Sequence, residues 1–391
     1  TPLASTDPAF EEIYNKWVAA YPKSYAAHYA RGRYFYNRAV DAVQQARNTA
    51  AITAVSQLPR ETAARVKQLV AQAVRDDTAA AELAAKPVTA YADLIDLHTF
   101  FMASPVNGRK VYDIANKIAP NNTLARYRYL TAIAQAGANL ATLKEIVDDA
   151  RKNVLTGDDR DNSIFEYYDG RLLMESRFDL LDKEMNGLQK AYEAGKINDI
   201  TLDGYFDAIS GANPENAPKY NAWIKAYPGS YAARQARAKY SRNAAWLARG
   251  SGYASEMTPQ EVEGMRLYKK QAQDDAKAAT SMTAKPILSY DVMHSLATLG
   301  GSQETRDTMM RFANTVDPKN SIVRTSHMFS LQSRWGGSLE AMENFLTQSK
   351  AAGIDKDILR YFGTMIMEEK SWLASQAKDA YPHLGEMVTG F

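Results

Sequence analysis

Tyr14-Asn15-Lys16-Trp17-Val18-Ala19-Ala20-Tyr21-Pro22-Lys23-Ser24-Tyr25-Ala26-Ala27-His28-Tyr29-Ala30-Arg31 has a near-copy later in the chain. It is Tyr220-Asn221-Ala222-Trp223-Ile224-Lys225-Ala226-Tyr227-Pro228-Gly229-Ser230-Tyr231-Ala232-Ala233-Arg234-Gln235-Ala236-Arg237, and twelve of the 18 positions are identical. Chance does not produce that identity, so the chain is an internal duplication. The match runs on through Tyr34/Tyr240 and Asn37/Asn243, then Asp76-Asp77 against Asp274-Asp275, and Lys86-Pro87 with Tyr91 against Lys285-Pro286 with Tyr290. Ala115-Asn116, Pro120 and Arg126 return as Ala313-Asn314, Pro318 and Arg324, and Gly137 and Leu140 as Gly336 and Leu339. The offset between copies falls from 206 to 198 and returns to 199, as small loop deletions would make it.

The pattern inside each copy is helical. In Leu140-Ala141-Thr142-Leu143-Lys144-Glu145-Ile146-Val147, residues Leu140, Leu143 and Val147 stand at i, i+3 and i+7 with Ile146 beside them. Lys144, Glu145 and Asp148 fill the opposite face. Leu172, Leu173, Phe178, Leu181 and Met185 are spaced in the same way. The breaks are short: Tyr21-Pro22, Lys86-Pro87, Ala119-Pro120-Asn121-Asn122, Asn213-Pro214 and Asp317-Pro318-Lys319-Asn320. Proline disfavours helical geometry in the residue before it, and Asn or Ser beyond it caps the next helix. Helices of about 12–25 residues joined by such turns predict antiparallel hairpins. The expected fold is all-α: an α-solenoid of helical hairpins, a superhelix built from two duplicated units.

A chain of 391 residues exceeds what one core organises, which agrees with two units. Lys plus Arg is 47 and Asp plus Glu is 45, a formal charge of +2 that gives no electrostatic reason to expect nucleic acid. With no cysteine, disulfides, thiol catalysis and Cys-ligated metals are excluded within this sequence. Charged residues punctuate every apolar stretch before the ~20 residues a membrane span needs. The chain opens on Thr1 rather than Met, so a signal peptide would lie upstream of it. The cysteine-free sequence suits a periplasmic protein, with a cytoplasmic setting as the alternative.

Ala115-Asn116-Lys117-Ile118-Ala119-Pro120-Asn121-Asn122, followed by Ala125, Tyr129 and Leu130, resembles the helix–turn–helix pattern of tetratricopeptide repeats. Ser333-Arg334-Trp335-Gly336-Gly337-Ser338-Leu339-Glu340-Ala341-Met342 resembles a stretch of the bacterial domain of unknown function 4034 family. Trp223 to Arg237 and Leu172 to Asp182 are similar to the same family. This resemblance implies a helical fold and implies no reaction. It places a first unit at 1–155, with its opening helix absent or shortened, a complete second unit at 156–350, and a helical cap at 351–391. The Trp-Gly-Gly core of the second unit has become Ala136-Gly137-Ala138 in the first.

Chemistry is hard to find. The histidines are His28, His98, His294, His327 and His383; none pairs at i, i+4, and no H-E-x-x-H occurs. Asp158-Asp159-Arg160-Asp161-Asn162-Ser163 is oxygen-rich, yet an EF-hand register puts Ile164 where glycine belongs, so a solvated loop between units is expected. No cofactor and no metal site is indicated. Among the duplicated polar residues, Arg31/Arg237, Asp77/Asp275 and Lys86/Lys285 read first as structural ties, because both copies need a structural contact. The chain's 23 Tyr, 5 Trp and 14 Met are of interface type, and repeat folds present such residues to partners. The candidate binding residues are Arg31, Tyr34, Arg38, Arg237, Tyr240 and Trp335. The expected function is a non-enzymatic scaffold that captures a protein or peptide partner, as a bacterial adaptor or an immunity-type inhibitor does. The alternatives are a hydrolase whose carboxylates or histidines converge between helices, and a carrier of a small apolar ligand. A deep pocket of converging titratable groups favours the enzyme, an enclosed apolar cavity the carrier, and an open groove the scaffold.

Overall fold

The computed structural model describes residues 5–49, 52, 55–153, 163–252 and 256–380, with side chains through 376. The described residues form α-helices joined by turns and contain no β-strand. The chain divides into two compact units, Thr1–Tyr168 and Asp169–Phe391. None of its helices is long and apolar enough to cross a membrane, among the described residues.

The first unit holds α1 (Ala9–Ala20), α2 (Tyr25–Thr49), α3 (Arg60–Leu83), α4 (Val88–Asp96), α5 (Pro105–Ile118), α6 (Leu124–Gln135) and α7 (Leu140–Asn153). A π-helical turn, Leu97–Phe101, extends α4, and α8 (Ser163–Met174) contains the division between the units. The second unit continues with α9 (Phe178–Glu193) and α10 (Asp199–Ala208). It then repeats the first as α11 (Ala217–Ala226), α12 (Tyr231–Arg249), α13 (Pro259–Ala279), α14 (Ile287–Thr298), α15 (Gln303–Val316), α16 (Ile322–Ser330) and α17 (Leu339–Ala351). Helix α18 (Lys356–Ala380) ends the described chain. Helices α1–α7 thus correspond in order to α11–α17, while α9 and α10 have no counterpart before α1 among the described residues.

Local chemistry sets the helix ends. Ser230 accepts from the Ala233 amide at 3.1 Å, and its counterpart Ser24 accepts from the Ala27 amide at 3.2 Å. Thr258 and Glu261 form a capping box with Pro259 at the first position of α13. Asn122 donates to the Ala119 carbonyl and to Asn116, and Asn320 repeats both bonds on Asp317 and Asn314. The same asparagine therefore closes the α5–α6 and α15–α16 hairpins.

The central hairpins make the cores. Between α2 and α3, Tyr34, Phe35, Val43, Val66, Leu69 and Val70 are buried against Leu94 and Leu97. In the second unit, Ala238 and Ala245 of α12 share a core with Ala272 and Ala276 of α13, side chains too small to hold helices apart. A bidentate ion pair locks each hairpin. Arg31 grips Asp76 at 2.8 and 2.7 Å and reaches Asn15; Arg237 grips Asp275 at 2.7 and 2.9 Å and reaches Asn221. This geometry corrects the alignment of the two acidic pairs by one residue. Asp275 is the counterpart of Asp76, and Asp77 faces the position of Ala276, so the offset between copies is already 199 in this helix.

Candidate functional site

The repeated Trp-to-Arg block builds a site in the second unit because α9 packs across it. Trp223 of α11 is fully buried, its ring parallel to Phe178 at 6.3 Å. Its indole N–H donates to Asp182 at 2.9 Å. One turn along α9, the Asn186 amide donates to Ser230 at 3.1 Å and its oxygen accepts from the Ala232 amide at 3.3 Å. Gln189 follows, donating to Thr283 and to the Lys285 carbonyl at 3.0 Å each. Glu193 then accepts from the Thr283 hydroxyl and the Ala284 amide. Burial raises the Glu193 pKa, but bonds from Thr283, Gln189 and the Ala284 and Lys285 amides outweigh it and hold the carboxyl below its ordinary value. Asp182, Asn186, Gln189 and Glu193 recur every three or four residues, so a single polar face of α9 satisfies one turn after another.

Beside that face lies a cleft of about 1020 Å³, bounded by α9, the turn from Ala226 to Ser230, and Met282–Ala284. Gly187 stands in its α9 wall, where an added Cβ would meet nothing within 4 Å. Tyr227 and Pro228 form its opposite rim. The charges lining it are unequal in their commitments. Asp182 and Glu193 are consumed by the bonds just described, whereas Lys183 and Lys190 are exposed and make no ion pair among the described residues. Two lysines seven residues apart stand two turns apart on one helix face. The cleft therefore offers two ammonium groups without an ion partner to whatever enters it, beside two carboxylates already hydrogen-bonded to the protein.

The residues singled out by sequence lie elsewhere. Arg31 and Arg237 are the hairpin ties. Tyr34 is fully buried, its hydroxyl accepting from Arg38 at 3.1 Å, and Arg38 also pairs with Glu11 at 2.5 Å. Tyr240 is 1% exposed and packs on Tyr220 at 4.9 Å. Trp335 meets Trp246 edge-on at 5.4 Å beneath the Arg249 guanidinium. The structure joins Tyr34 to Arg38 and brings none of the six to the cleft. The turn after Trp335 explains its glycines. Gly336 has φ 85°, and a Cβ on Gly337 would lie 2.0 Å from the Leu331 carbonyl oxygen.

Two buried polar clusters escaped the sequence reading. His294 of α14 and His327 of α16 approach to 3.1 Å between ring nitrogens. Burial, reinforced by the other imidazole and by Arg306, pushes His294 down to about 3; burial, with Arg306 and Arg324, pushes His327 down to about 4. In the first unit, Asp77, Asp93 and Asp96 are buried together, with Arg33 on Asp93 at 2.5 Å and Arg128 on Asp96 at 2.6 Å. Burial and the charges of Asp93 and Asp76 push Asp77 well above the carboxylate range. Of the other histidines, His28 bridges Asp76 and the Pro22 carbonyl, and His98 sits in the π-helical turn. His383 and the stretch Asp158–Asn162, expected as a loop between units, lie outside the described residues. Among the described residues no group of three or more His, Asp or Glu side chains is placed to hold a metal ion.

No curated protein and no solved structure matches the chain. The model of one family, a domain of unknown function (DUF4034), matches residues 170–304. That stretch runs from within α8 to the first turn of α15, so α9, the buried Trp223 and the whole lining of the cleft fall inside the matched region, while Arg334-Trp335-Gly336-Gly337 falls beyond it.

Proposed function

We propose that this protein is a non-enzymatic binding scaffold and that the cleft beside α9 holds an acidic segment of a protein partner. The observation that carries the reading is that the charges of an open cleft are unequally engaged. Its carboxylates are hydrogen-bonded to protein groups, and its two lysines are free to meet a ligand. The cleft is open to solvent, whereas a carrier of a small apolar ligand needs an enclosed cavity, and this favours a peptide chain as occupant. The titratable cluster a hydrolase would use, His294 with His327, is 0% and 7% exposed and contributes nothing to the cleft lining, which supports binding over catalysis. The near-neutral chain gives nucleic acid no general attraction. A periplasmic adaptor or immunity-type protein is the setting this reading extends to, supported by the cysteine-free sequence.

The test is charge reversal. Affinity capture from the native host followed by mass spectrometry compares the unaltered chain with Lys183→Glu/Lys190→Glu and, as a control, with the exposed pair Lys110→Glu/Lys350→Glu. A partner retained by the control and lost with the cleft variant is expected. Exposed charges contribute roughly 0.2–1 kcal/mol each, so reversing two should weaken capture about tenfold or more, with salt acting in the same direction. Equal capture by all three proteins would remove the cleft from the account.

A further inference from the structure

The duplication leaves one docking face covered and its copy uncovered. In the second unit, Trp223 is 0% exposed because α9 lies across it; in the first, the identical Trp17 is 38% exposed. Ile13 of α1 and Tyr21, the residue that ends that helix, stand four residues to either side of Trp17 and are 56% and 62% exposed. Leu83, the counterpart of the cleft-lining Met282, is exposed as well. The difference continues along α2. Ala26 is exposed where Ala232 is buried, Tyr25 is half-buried where Tyr231 is buried, and Arg33 is half-buried where Lys239 is sealed under Asp203 and Asp207 of α10.

The polar groups that α9 satisfies recur without acceptors. The Trp17 indole N–H and the Ala26 amide have no hydrogen-bond acceptor among the described residues, whereas Trp223 and Ala232 are served by Asp182 and Asn186. The amides of Ala85 and Lys86 stand where Ala284 and Lys285 donate to Glu193. Apolar stripe and unserved donors coincide on one surface, with the spacing that α9 already matches in the other unit.

We infer that the α1–α2 face of the first unit is a docking groove for an amphipathic helix of a partner protein, read in the manner of α9. This face is separate from the cleft, so the inference stands independently of the function proposed above. The partner helix carries an aromatic ring to stack on Trp17, an Asp four residues later for the indole N–H, and an Asn four residues beyond that for the Ala26 amide. Those are the places of Phe178, Asp182 and Asn186 in α9. A glutamate eleven residues after the Asp, at the place of Glu193, meets the Ala85 and Lys86 amides. Recognition is a helix laid into a groove, with apolar anchors giving affinity and the two polar side chains giving register.

The test uses a synthetic copy of α9, the peptide 176–196, titrated into the full chain by calorimetry, with a photo-crosslinking side chain placed beside Asp182. Saturable binding is expected, with crosslinks to α1. Binding should weaken at least tenfold with Trp17→Ala and with Ile13→Glu/Tyr21→Glu, the latter altering only residues more than half exposed, and with the peptide variant Asp182→Ala. Circular dichroism checks that each protein variant is folded; if Trp17→Ala is not, the Ile13→Glu/Tyr21→Glu result decides. Absence of saturable binding, binding indifferent to these changes, or crosslinks confined to α11 would overturn the inference. So would crosslinks joining α1 of two copies of the chain without peptide, which would assign the face to self-association.

Discussion

His294 and His327 show what burial does to a single side chain. Each imidazole is held neutral far below its ordinary pKa of 6.5, to about 3 and about 4, while the unfolded chain protonates near 6.5. Between those values the unfolded state binds more protons, so stability present above about pH 6.5 is lost as pH falls. We expect the melting temperature to drop between pH 7 and pH 5, and the drop to shrink in His294→Gln; an unchanged drop would place the acid sensitivity elsewhere. Trp335 is a second residue-scale case. It is only partly buried, yet its ring meets Trp246 and Phe329, and its turn depends on Gly336 and Gly337. Trp335→Ala should cost about 3 kcal/mol in urea unfolding, the low end for losing a large aromatic. Equal stability of the variant would mark Trp335 as a surface anchor instead. Neither histidine announced its partner in the sequence, because 33 residues and a helix crossing separate them, and no local spacing encodes a crossing.

At the scale of the element, the helices and their turns were legible because the rules that make them are local. Apolar spacing and the Pro-Asn breaks set α5, α6, α15 and α16 where the pattern indicates. The duplicated arginines read as structural ties, and each does bridge α2 to α3 or α12 to α13. The partner acid was misplaced by one residue because adjacent aspartates align equally well in either register, and only the guanidinium tells them apart. Arg237→Ala leaves Asp275 buried without its main cation. Removing one partner of a buried pair costs about 3–5 kcal/mol, discounted here to about 2–3 for an arginine that is one-fifth exposed. Arg31→Ala should cost a similar amount. A fall in melting temperature without loss of partner capture is the expected result for Arg237→Ala; intact stability with lost capture would move Arg237 from the hairpin to a binding surface. The cleft was not legible for the opposite reason. Its wall, α9, lies outside the repeated block, so comparing the copies points away from it. The tyrosine-rich helix face reads alike whether it turns inward, as Tyr34 and Tyr240 do, or outward.

For the molecule as a whole, the duplication gives two units of the same helical plan with different surfaces. One copy of the Trp–Tyr–Pro–Ser face is sealed by the chain's own α9 and bordered by a lysine-lined cleft; the other is open. A fold repeated in this way keeps its internal ties in both copies, as Arg31 and Arg237 show, and varies what it presents outward. Hydrogen exchange of the full chain with and without its captured partner tests the binding account most directly. Slowed exchange is expected in the Ala226–Ala232 and Met282–Lys285 amides that border the cleft. Protection confined to other segments, with these amides unchanged, would contradict it.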